Sequence, residues 1–147
     1  LAGLRNGEYQ AIILPYRPEG QDLCWKEYGT ERLAFALPPG HPLANRDGLY
    51  MRELDGENML LYADIGFWHE LPAQKMPHSR FLVQSDRFAL TELVQSSVLP
   101  SFVTDAAMRL YGPLENRKVV PILDPEATVA YYAVCLKQGL HRVKRLF

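Results

Sequence analysis

The sequence has 147 residues, of which 48% are hydrophobic and 22% are charged, and its formal net charge is −1. This balance is typical of a soluble globular protein, and it does not indicate a basic surface for nucleic-acid binding. No apolar run approaches the roughly 18 residues of a membrane-spanning helix, and no signal peptide is visible. We therefore expect a cytoplasmic protein.

The chain opens like the last turns of a helix, because Gly7 is suited to the position just after a helix end. A domain seldom begins at the end of a helix, so we expect the sequence to be a fragment. Strands are then predicted at 9–14, 23–28 and 32–37, with Gly29 in a turn between the last two. The proline-rich residues 38–42 mark a linker.

Short strands and helices alternate through the rest of the chain. Ser85 or Asp86 is suited to cap a helix that runs to about residue 95, and Thr104 is suited to cap the next one. The pattern predicts an α/β class with mainly parallel sheets. Helices are expected at 49–54, 66–74 and 105–111 and in the basic tail 140–147, and strands at 59–63, 80–84, 99–103, 119–123 and 128–136.

Catalytic and metal-binding motifs are not apparent, so no enzyme activity, metal or cofactor is predicted. The four histidines are not spaced as metal ligands. Cys24 and Cys135 lie far apart in the sequence without metal or redox spacing, and we expect both to be buried and reduced. Arg17 and Arg87 could each hold an anionic ligand by a bidentate contact, or form ordinary surface salt bridges.

Aromatic residues cluster where a predicted strand meets a helix, at Tyr62, Phe67 and Trp68. They could line a pocket or simply pack a core. Ligands of open α/β sheets bind beyond the carboxyl ends of strands, where helix N-termini offer free N–H groups. The corners at 62–68, 84–88 and 102–106 fit that description, and a small anion or polar metabolite is the expected ligand.

Residues 32–54, RLAFALPPGHPLANRDGLYMREL, resemble a hallmark of the effector-binding domain of LysR-type transcriptional regulators. In that family a strand leads into a turn like Pro39-Gly40-His41-Pro42-Leu43-Ala44, and a short helix follows. Residues 4–14, 92–107 and 124–134 are similar to other family segments. Two departures are Gln10, where an acidic residue is usual, and Ser96-Ser97-Val98, where a Gly-x-Gly is common.

The resemblance implies a fold like that of type 2 periplasmic binding proteins, with a small effector between two α/β lobes. Lobe one would comprise residues 1–25 and 103–147 and would be incomplete at its start, and lobe two would comprise 26–102. The family also implies self-association, as a dimer or as a tetramer in the full-length protein. A helix-turn-helix domain outside this sequence would bind DNA. The alternatives are a solute-binding module of a transport system and, with less support, an enzyme on this fold.

The effector is expected to contact residues at the three corners and after the first strand. Aromatic side chains would form stacking or apolar walls, while Ser85 and the backbone N–H groups at 65–67 would donate hydrogen bonds. Asp64 could cap the helix, and Gly66 would let a ligand approach the backbone. The predicted ligand-binding residues are Tyr16, Tyr62, Asp64, Ile65, Gly66, Phe67, Trp68, Gln84, Ser85 and Phe102.

Overall fold

The computed structural model describes residues 1–147, except for the side chain of Phe67. The chain divides into two compact units: unit 1 contains residues 1–31 and 129–147, and unit 2 contains residues 32–128. The helices are α1 (Ala2–Arg5), α2 (Leu71–Lys75), α3 (Arg87–Ser96) and α4 (Asp105–Tyr111), and the strands are β1 (Ile12–Leu14), β2 (Leu23–Leu37), β3 (Asn58–Tyr62), β4 (Arg80–Gln84), β5 (Ser101–Thr104), β6 (Lys118–Pro121) and β7 (Thr128–Leu136). Short 3-10 helices also occur at Met51–Leu54, Gly66–Trp68, Pro125–Ala127, Lys137–Arg142 and Lys144–Leu146.

The α/β class is confirmed, and its strand pairing is mixed. In unit 2, β3 pairs in parallel with both β4 and β5, whereas β5 and β6 pair antiparallel with β2. In unit 1, β1 and β7 are antiparallel. The expected parallel pairing therefore holds for the strands that alternate with helices, and the long strand β2 introduces the antiparallel pairs.

The predicted turn at Gly29 is wrong, because β2 is one continuous strand of 15 residues. The glycines with a positive φ angle are found elsewhere, for example at Gly7 and Gly66. Gly29 thus needs no turn conformation, and a strand can pass through it with only a modest loss of stability.

The unit boundaries differ from the expected lobe boundaries at 25 and 103. Residues 103–128 group with unit 2, because β5 and β6 both pair with the second half of β2, at Leu33–Ala36 and Ala34–Leu37. Identification of the two units with the two lobes of a periplasmic-binding-protein-like fold remains a prediction.

The His41 turn is built from hydrogen bonds within unit 2. The ring Nδ1 of His41 accepts from the Leu43 N–H at 3.0 Å, so Nε2 carries the proton that is shared with Glu57 Oε1 at 2.7 Å. Ala44, at the end of the turn, is buried. This network gives the His-Pro-Leu-Ala motif a structural role in shaping the turn after β2.

Each unit has apolar residues in its interior. Leu4, Leu23 and Val134 form the buried cluster of unit 1. In unit 2, the largest fully buried side chains come mainly from β2, β3, the 3-10 helix after the His41 turn and the segments around α2; they include Leu33, Phe35, Leu37, Leu49, Met51, Leu54, Met59, Trp68 and Met76. The interior of unit 2 therefore lies directly behind the corner that follows β3.

Candidate functional site at the strand ends of unit 2

The carboxyl ends of three neighbouring strands lie along one edge of unit 2. The strands follow the order β5, β3, β4 and run parallel. Tyr62, at the end of β3, lies opposite Gln84, at the end of β4, and the Ala63 N–H donates to the Gln84 carbonyl at 2.8 Å. The three corners predicted from the sequence are therefore adjacent.

Asp86 and Thr104 cap the helices that begin at this edge. Asp86 Oδ1 accepts hydrogen bonds from the N–H groups of Phe88 at 2.8 Å and Ala89 at 3.4 Å. Thr104 Oγ1 accepts from the Ala107 N–H at 3.0 Å. The predicted capping of α4 is confirmed, and Asp86 rather than Ser85 caps α3. Since the caps occupy these N–H groups, the helix ends alone do not provide a free anion site.

Arg87, the first residue of α3, lies between two tyrosine side chains. Its guanidinium carbon is 4.6 Å from the ring centre of Tyr62 and 4.5 Å from that of Tyr111, the last residue of α4. Such cation–π contacts restrain the guanidinium while leaving its N–H groups able to bind an acceptor. Among the described residues, Arg87 has no carboxylate partner.

Arg87 places a positive charge at the N-terminus of α3, beside the Asp86 cap. A helix N-terminus already carries a partial positive charge, so a cation there is unfavourable for the helix unless an anion lies nearby. The surface salt bridge that we considered for Arg87 is not formed with any described side chain. A restrained guanidinium with aromatic neighbours is suited in its chemistry to a carboxylate or phosphate group.

The corner after β3 has an open backbone at Gly66. Its φ angle is +76°, a conformation that favours glycine, and apart from its chain neighbours none of the described residues lies within 4 Å of the position that a Cβ atom would occupy. Asp64 is exposed and does not cap the 3-10 helix, whose N-cap residue is Ile65 and has no side-chain cap. The space at Gly66 is compatible with close approach of a ligand to the backbone, and ligand binding here stays a prediction. The side chain of Phe67 lies outside the described residues.

Trp68 belongs to the interior of unit 2 and not to an exposed pocket wall. Only 2% of the residue is exposed, and its indole N–H donates to the backbone carbonyl of Glu126 at 2.7 Å. Burial of the large ring is compatible with this polar group because the carbonyl satisfies it. Trp68 thus supports the corner from behind, which corrects its expected direct contact with the effector.

The other predicted residues occupy different environments. Phe102 packs on β5 with its ring 5.4 Å from Phe35 and 6.5 Å from Phe81. Gln84 is half-buried and Ser85 is exposed at the end of β4. Tyr16 follows β1 in unit 1 and is 53% exposed. Within unit 2, the structure brings together the ends of β3 and β4, with Tyr62 opposite Gln84, whereas Phe102 packs among other aromatic rings and Trp68 faces the interior.

Tyr111 is the member of this arrangement that the sequence analysis did not identify. It is 63% exposed and ends α4, a position that by itself is typical of a surface residue. The sequence correctly predicted a helix at residues 105–111. Only the fold shows that the end of this helix lies beside Arg87. Arg17 makes a comparable contact in unit 1, 4.2 Å from the Trp25 ring centre.

The described residues contain no group of three or more His, Cys, Asp or Glu side chains positioned to hold a metal ion. None of the helices in the described structure is long and apolar enough to cross a bilayer.

A family comparison matches the LysR substrate-binding domain over residues 1–147. The chain belongs to the LysR substrate-binding domain family.

Solved LysR-family regulatory domains share this fold. The chain is 17% identical to the reduced OxyR regulatory domain of Pseudomonas aeruginosa, with a TM-score of 0.69, and covers 99% of its own length and 73% of that domain. The chain is 14% identical to the MetR regulatory domain of N. meningitidis, with a TM-score of 0.69, and covers 99% of its own length and 71% of that domain. It is 16% identical to the CcmR regulatory domain of Synechocystis in complex with 2-PG, with a TM-score of 0.66, and covers 99% of its own length and 75% of that domain. No curated protein sequence matches the chain.

Membership of the LysR family makes this chain an effector-sensing regulatory domain of a transcriptional regulator. The fold agrees with that function, and a solute-binding module of a transport system is not favoured. The chain covers about three quarters of the regulatory domains and 49% of a full-length OxyR structure.

Proposed function

We propose that the chain senses a small acid at the carboxyl ends of β3, β4 and β5. Arg87 binds the acidic group, and Tyr62 and Tyr111 hold the guanidinium and contact the apolar part of the effector. Ser85 and Gln84 offer further hydrogen bonds, and the open backbone at Gly66 admits the ligand. Of the remaining predicted contacts, Asp64, Ile65, Phe67, Phe102 and Tyr16 stay proposals, while Trp68 acts indirectly by supporting the corner.

The observation that carries this proposal is the unpaired, restrained Arg87. An exposed arginine without a binding role commonly extends into water or pairs with a nearby carboxylate. Arg87 instead stacks against two rings, at 4.6 and 4.5 Å, and has no carboxylate partner among the described residues. Stacking reduces the side-chain entropy that is lost when an anion binds. The arrangement therefore favours recognition of a carboxylate or phosphate group.

The comparisons support binding of a small molecule. The related CcmR regulatory domain was solved in complex with 2-PG. We infer for the present chain that effector binding shifts a conformational equilibrium and in this way controls the regulator. We also propose that the chain acts by binding and not by catalysis, because its recognised family and fold are those of regulatory domains.

We further propose that the regulator is cytoplasmic and self-associates, as a dimer or tetramer in its full-length form. Its DNA contacts are assigned to a helix-turn-helix domain outside these residues, because the net charge of −1 gives this chain no general attraction to DNA. Gel-mobility and light-scattering measurements on the chain and on the intact regulator would test these assignments.

The acid site is tested by titration calorimetry with a panel of small carboxylates and phosphates, together with neutral amide analogues. Arg87→Gln is expected to weaken binding of the best acid by about 10- to 100-fold, which is the usual loss when a charge-assisted hydrogen bond is removed. Arg52→Gln is the matched control, since Arg52 also stacks on a tyrosine, 4.3 Å from the Tyr50 ring centre. That control is expected to bind the acid like the original chain.

Three results would contradict the proposed site, and the first two concern the acidic group and general surface charge. One is equal affinity for the acid and its neutral amide, which would show that the anionic group is not recognised. The other is equal weakening by Arg87→Gln and Arg52→Gln, which would assign the effect to general surface charge. Binding of any effector that is unaffected by Arg87→Gln would leave the family assignment intact but place the site elsewhere.

A further inference from the structure

Cys24 and Cys135 are neighbours in unit 1 although they lie far apart in the sequence. Cys24 belongs to β2 and Cys135 to β7, which are adjacent strands. The Lys137 N–H donates to the Asp22 carbonyl at 2.9 Å. From this pair, a step of two residues forward along β2 and two residues backward along β7 places Cys24 opposite Cys135. Both cysteines are free, as expected from the sequence, but only Cys135 is fully buried, and their separation along the chain gave no sign that they are neighbours.

The direction of the chain in β2 and β7 supports this register. Beyond the Asp22–Lys137 pair, the Trp25 ring packs against Tyr132, with ring centres 5.6 Å apart. Residue numbers thus rise along β2 as they fall along β7, as antiparallel pairing requires.

Both thiols lie on the same face of these strands. Leu23 and Val134 share the buried cluster of unit 1, and successive side chains of a strand point to opposite faces. Cys24 and Cys135 each follow one of these core residues, so both point to the other face. Cys24 is half-buried and Cys135 is fully buried, and neither forms a disulfide.

The thiols are close enough to interact directly. Burial raises the pKa of the Cys135 thiol above its usual value, and the neighbouring Cys24 raises this pKa further. Directly opposed residues of a hydrogen-bonded antiparallel pair have Cα atoms about 5.5 Å apart. Disulfides commonly span Cα distances of roughly 4.4–6.8 Å, so the backbone can accommodate this bond.

We propose that Cys24 and Cys135 form a reversible intramolecular disulfide when the protein is exposed to a hydroperoxide. The more accessible Cys24 attacks the peroxide, and the O–O bond breaks to give a Cys24 sulfenic acid and one water or alcohol. The Cys135 sulfur then attacks the Cys24 sulfur, so that the S–O bond breaks, the S–S bond forms and water leaves. The two thiols lose two electrons and two protons in total, and a dithiol reductant reverses the change.

This link would join the two strands through which the chain passes between its units. The passage from unit 1 to unit 2 lies within β2, after Glu31, and the return lies within β7, after Thr128. Both cysteines lie within unit 1, so a covalent bond between β2 and β7 would cross-link this unit. This inference is independent of the acid site at Arg87.

Intact-mass spectrometry tests the disulfide directly. The reduced native chain is treated with hydrogen peroxide, quenched with acid, unfolded and alkylated with N-ethylmaleimide. The expected product has lost two hydrogen atoms and takes up no N-ethylmaleimide, and dithiothreitol restores two alkylation sites. Cys24→Ser and Cys135→Ser each retain one cysteine and should give no such product, and peptide mapping should place the link between residues 24 and 135.

Three outcomes would overturn the proposal. Both thiols could remain open to alkylation after peroxide treatment, or Cys24 could accumulate as a sulfinic acid. A non-reducing gel could also show the link only between two chains. The readout uses the original chain, so it remains decisive if either serine variant fails to fold. Both serine variants, when folded, should bind the acid at Arg87 as before, which separates failure of this proposal from failure of the effector site.

Discussion

Arg87 and Arg117 lie near opposite ends of α3 and differ in almost every respect. Arg87 begins the helix, is exposed and stacks on Tyr62 and Tyr111. Arg117 is 9% exposed and uses its guanidinium to bind backbone carbonyl groups at and beyond the end of the helix. Its five hydrogen bonds measure between 2.6 and 3.2 Å and reach the carbonyls of Val94 (twice), Ser97, Leu99 and Ala36.

The contrast separates a structural cation from a candidate binding cation. A guanidinium has five N–H donors, and in Arg117 these are matched by protein acceptors. Its charge also lies near the negative end of the helix dipole, where a cation is favourable. Burial lowers the pKa of Arg117, but the surrounding carbonyls support its charged form. Arg87 has the opposite position relative to the dipole and has no carboxylate partner among the described residues, so an anion would complete its environment.

The largest expected effect concerns Arg117. Arg117→Ala leaves the buried carbonyls of Val94 and Ala36 and the half-buried carbonyls of Ser97 and Leu99 without these donors. We expect the free energy of unfolding to fall by about 3–5 kcal/mol, because each buried carbonyl that is left without a donor costs roughly 1–3 kcal/mol. Urea denaturation followed by circular dichroism measures this change. A loss below about 1 kcal/mol would contradict the structural role, because it would mean that water replaces the guanidinium without difficulty.

Trp68 gives the next largest effect and tests whether the corner has a buried support. Trp68→Phe removes the hydrogen bond to the Glu126 carbonyl and reduces the buried volume. The free energy of unfolding should fall by about 1–3 kcal/mol, as measured by urea denaturation. Acid affinity measured well below the unfolding transition should change little. A large loss of affinity with unchanged stability would instead return Trp68 to the binding surface.

Local signals explain which parts of this region were predictable. Thr104 was identified as the cap of α4, and its hydroxyl accepts the expected type of hydrogen bond. The α3 cap was narrowed to Ser85 or Asp86, and the structure selects Asp86. Both decisions depend on residues within one helical turn. The strands at 80–84 and 128–136 were likewise predicted with the observed bounds, because their composition and bounding residues are local features.

Features that depend on distant segments were not predictable in the same way. The indole N–H of Trp68 donates to the backbone carbonyl of Glu126. The guanidinium of Arg87 stacks on Tyr111, at the end of another helix. Cys24 meets Cys135 only because β2 lies beside β7. Nothing in the residues next to each of these positions specifies its partner. Hydrophobic pattern and family motifs thus gave the fold class, while strand register and helix packing decided the site.

A smaller change at the N-terminus of α3 tests how capping and charge combine there. Asp86→Ala removes the acceptor of the Phe88 and Ala89 N–H groups and should lower the free energy of unfolding by about 1 kcal/mol. It also removes a negative charge beside Arg87, so acid affinity should stay equal or rise. Thr104→Ala is the matched control, with a similar loss of stability. Thermal unfolding and acid titration should be measured on both variants; weaker acid binding by Asp86→Ala alone would mean that the carboxylate assists binding.

The smallest expected change in stability is that of Arg87→Gln, which completes the comparison with Arg117. Removal of the cation loses two exposed cation–π contacts, each worth about 0.5–1 kcal/mol, but it relieves an unfavourable charge at the N-terminus of α3 by a similar amount. The free energy of unfolding should therefore change by less than about 1 kcal/mol in urea denaturation, although the variant should bind the acid poorly.

The difference in affinity from the original chain should also shrink as salt is added, because ions screen an exposed charge. A loss of stability comparable to that of Arg117→Ala would show that Arg87 is structural as well. A binding difference that persists unchanged at high salt would show that the guanidinium acts through its shape and stacking more than through its charge.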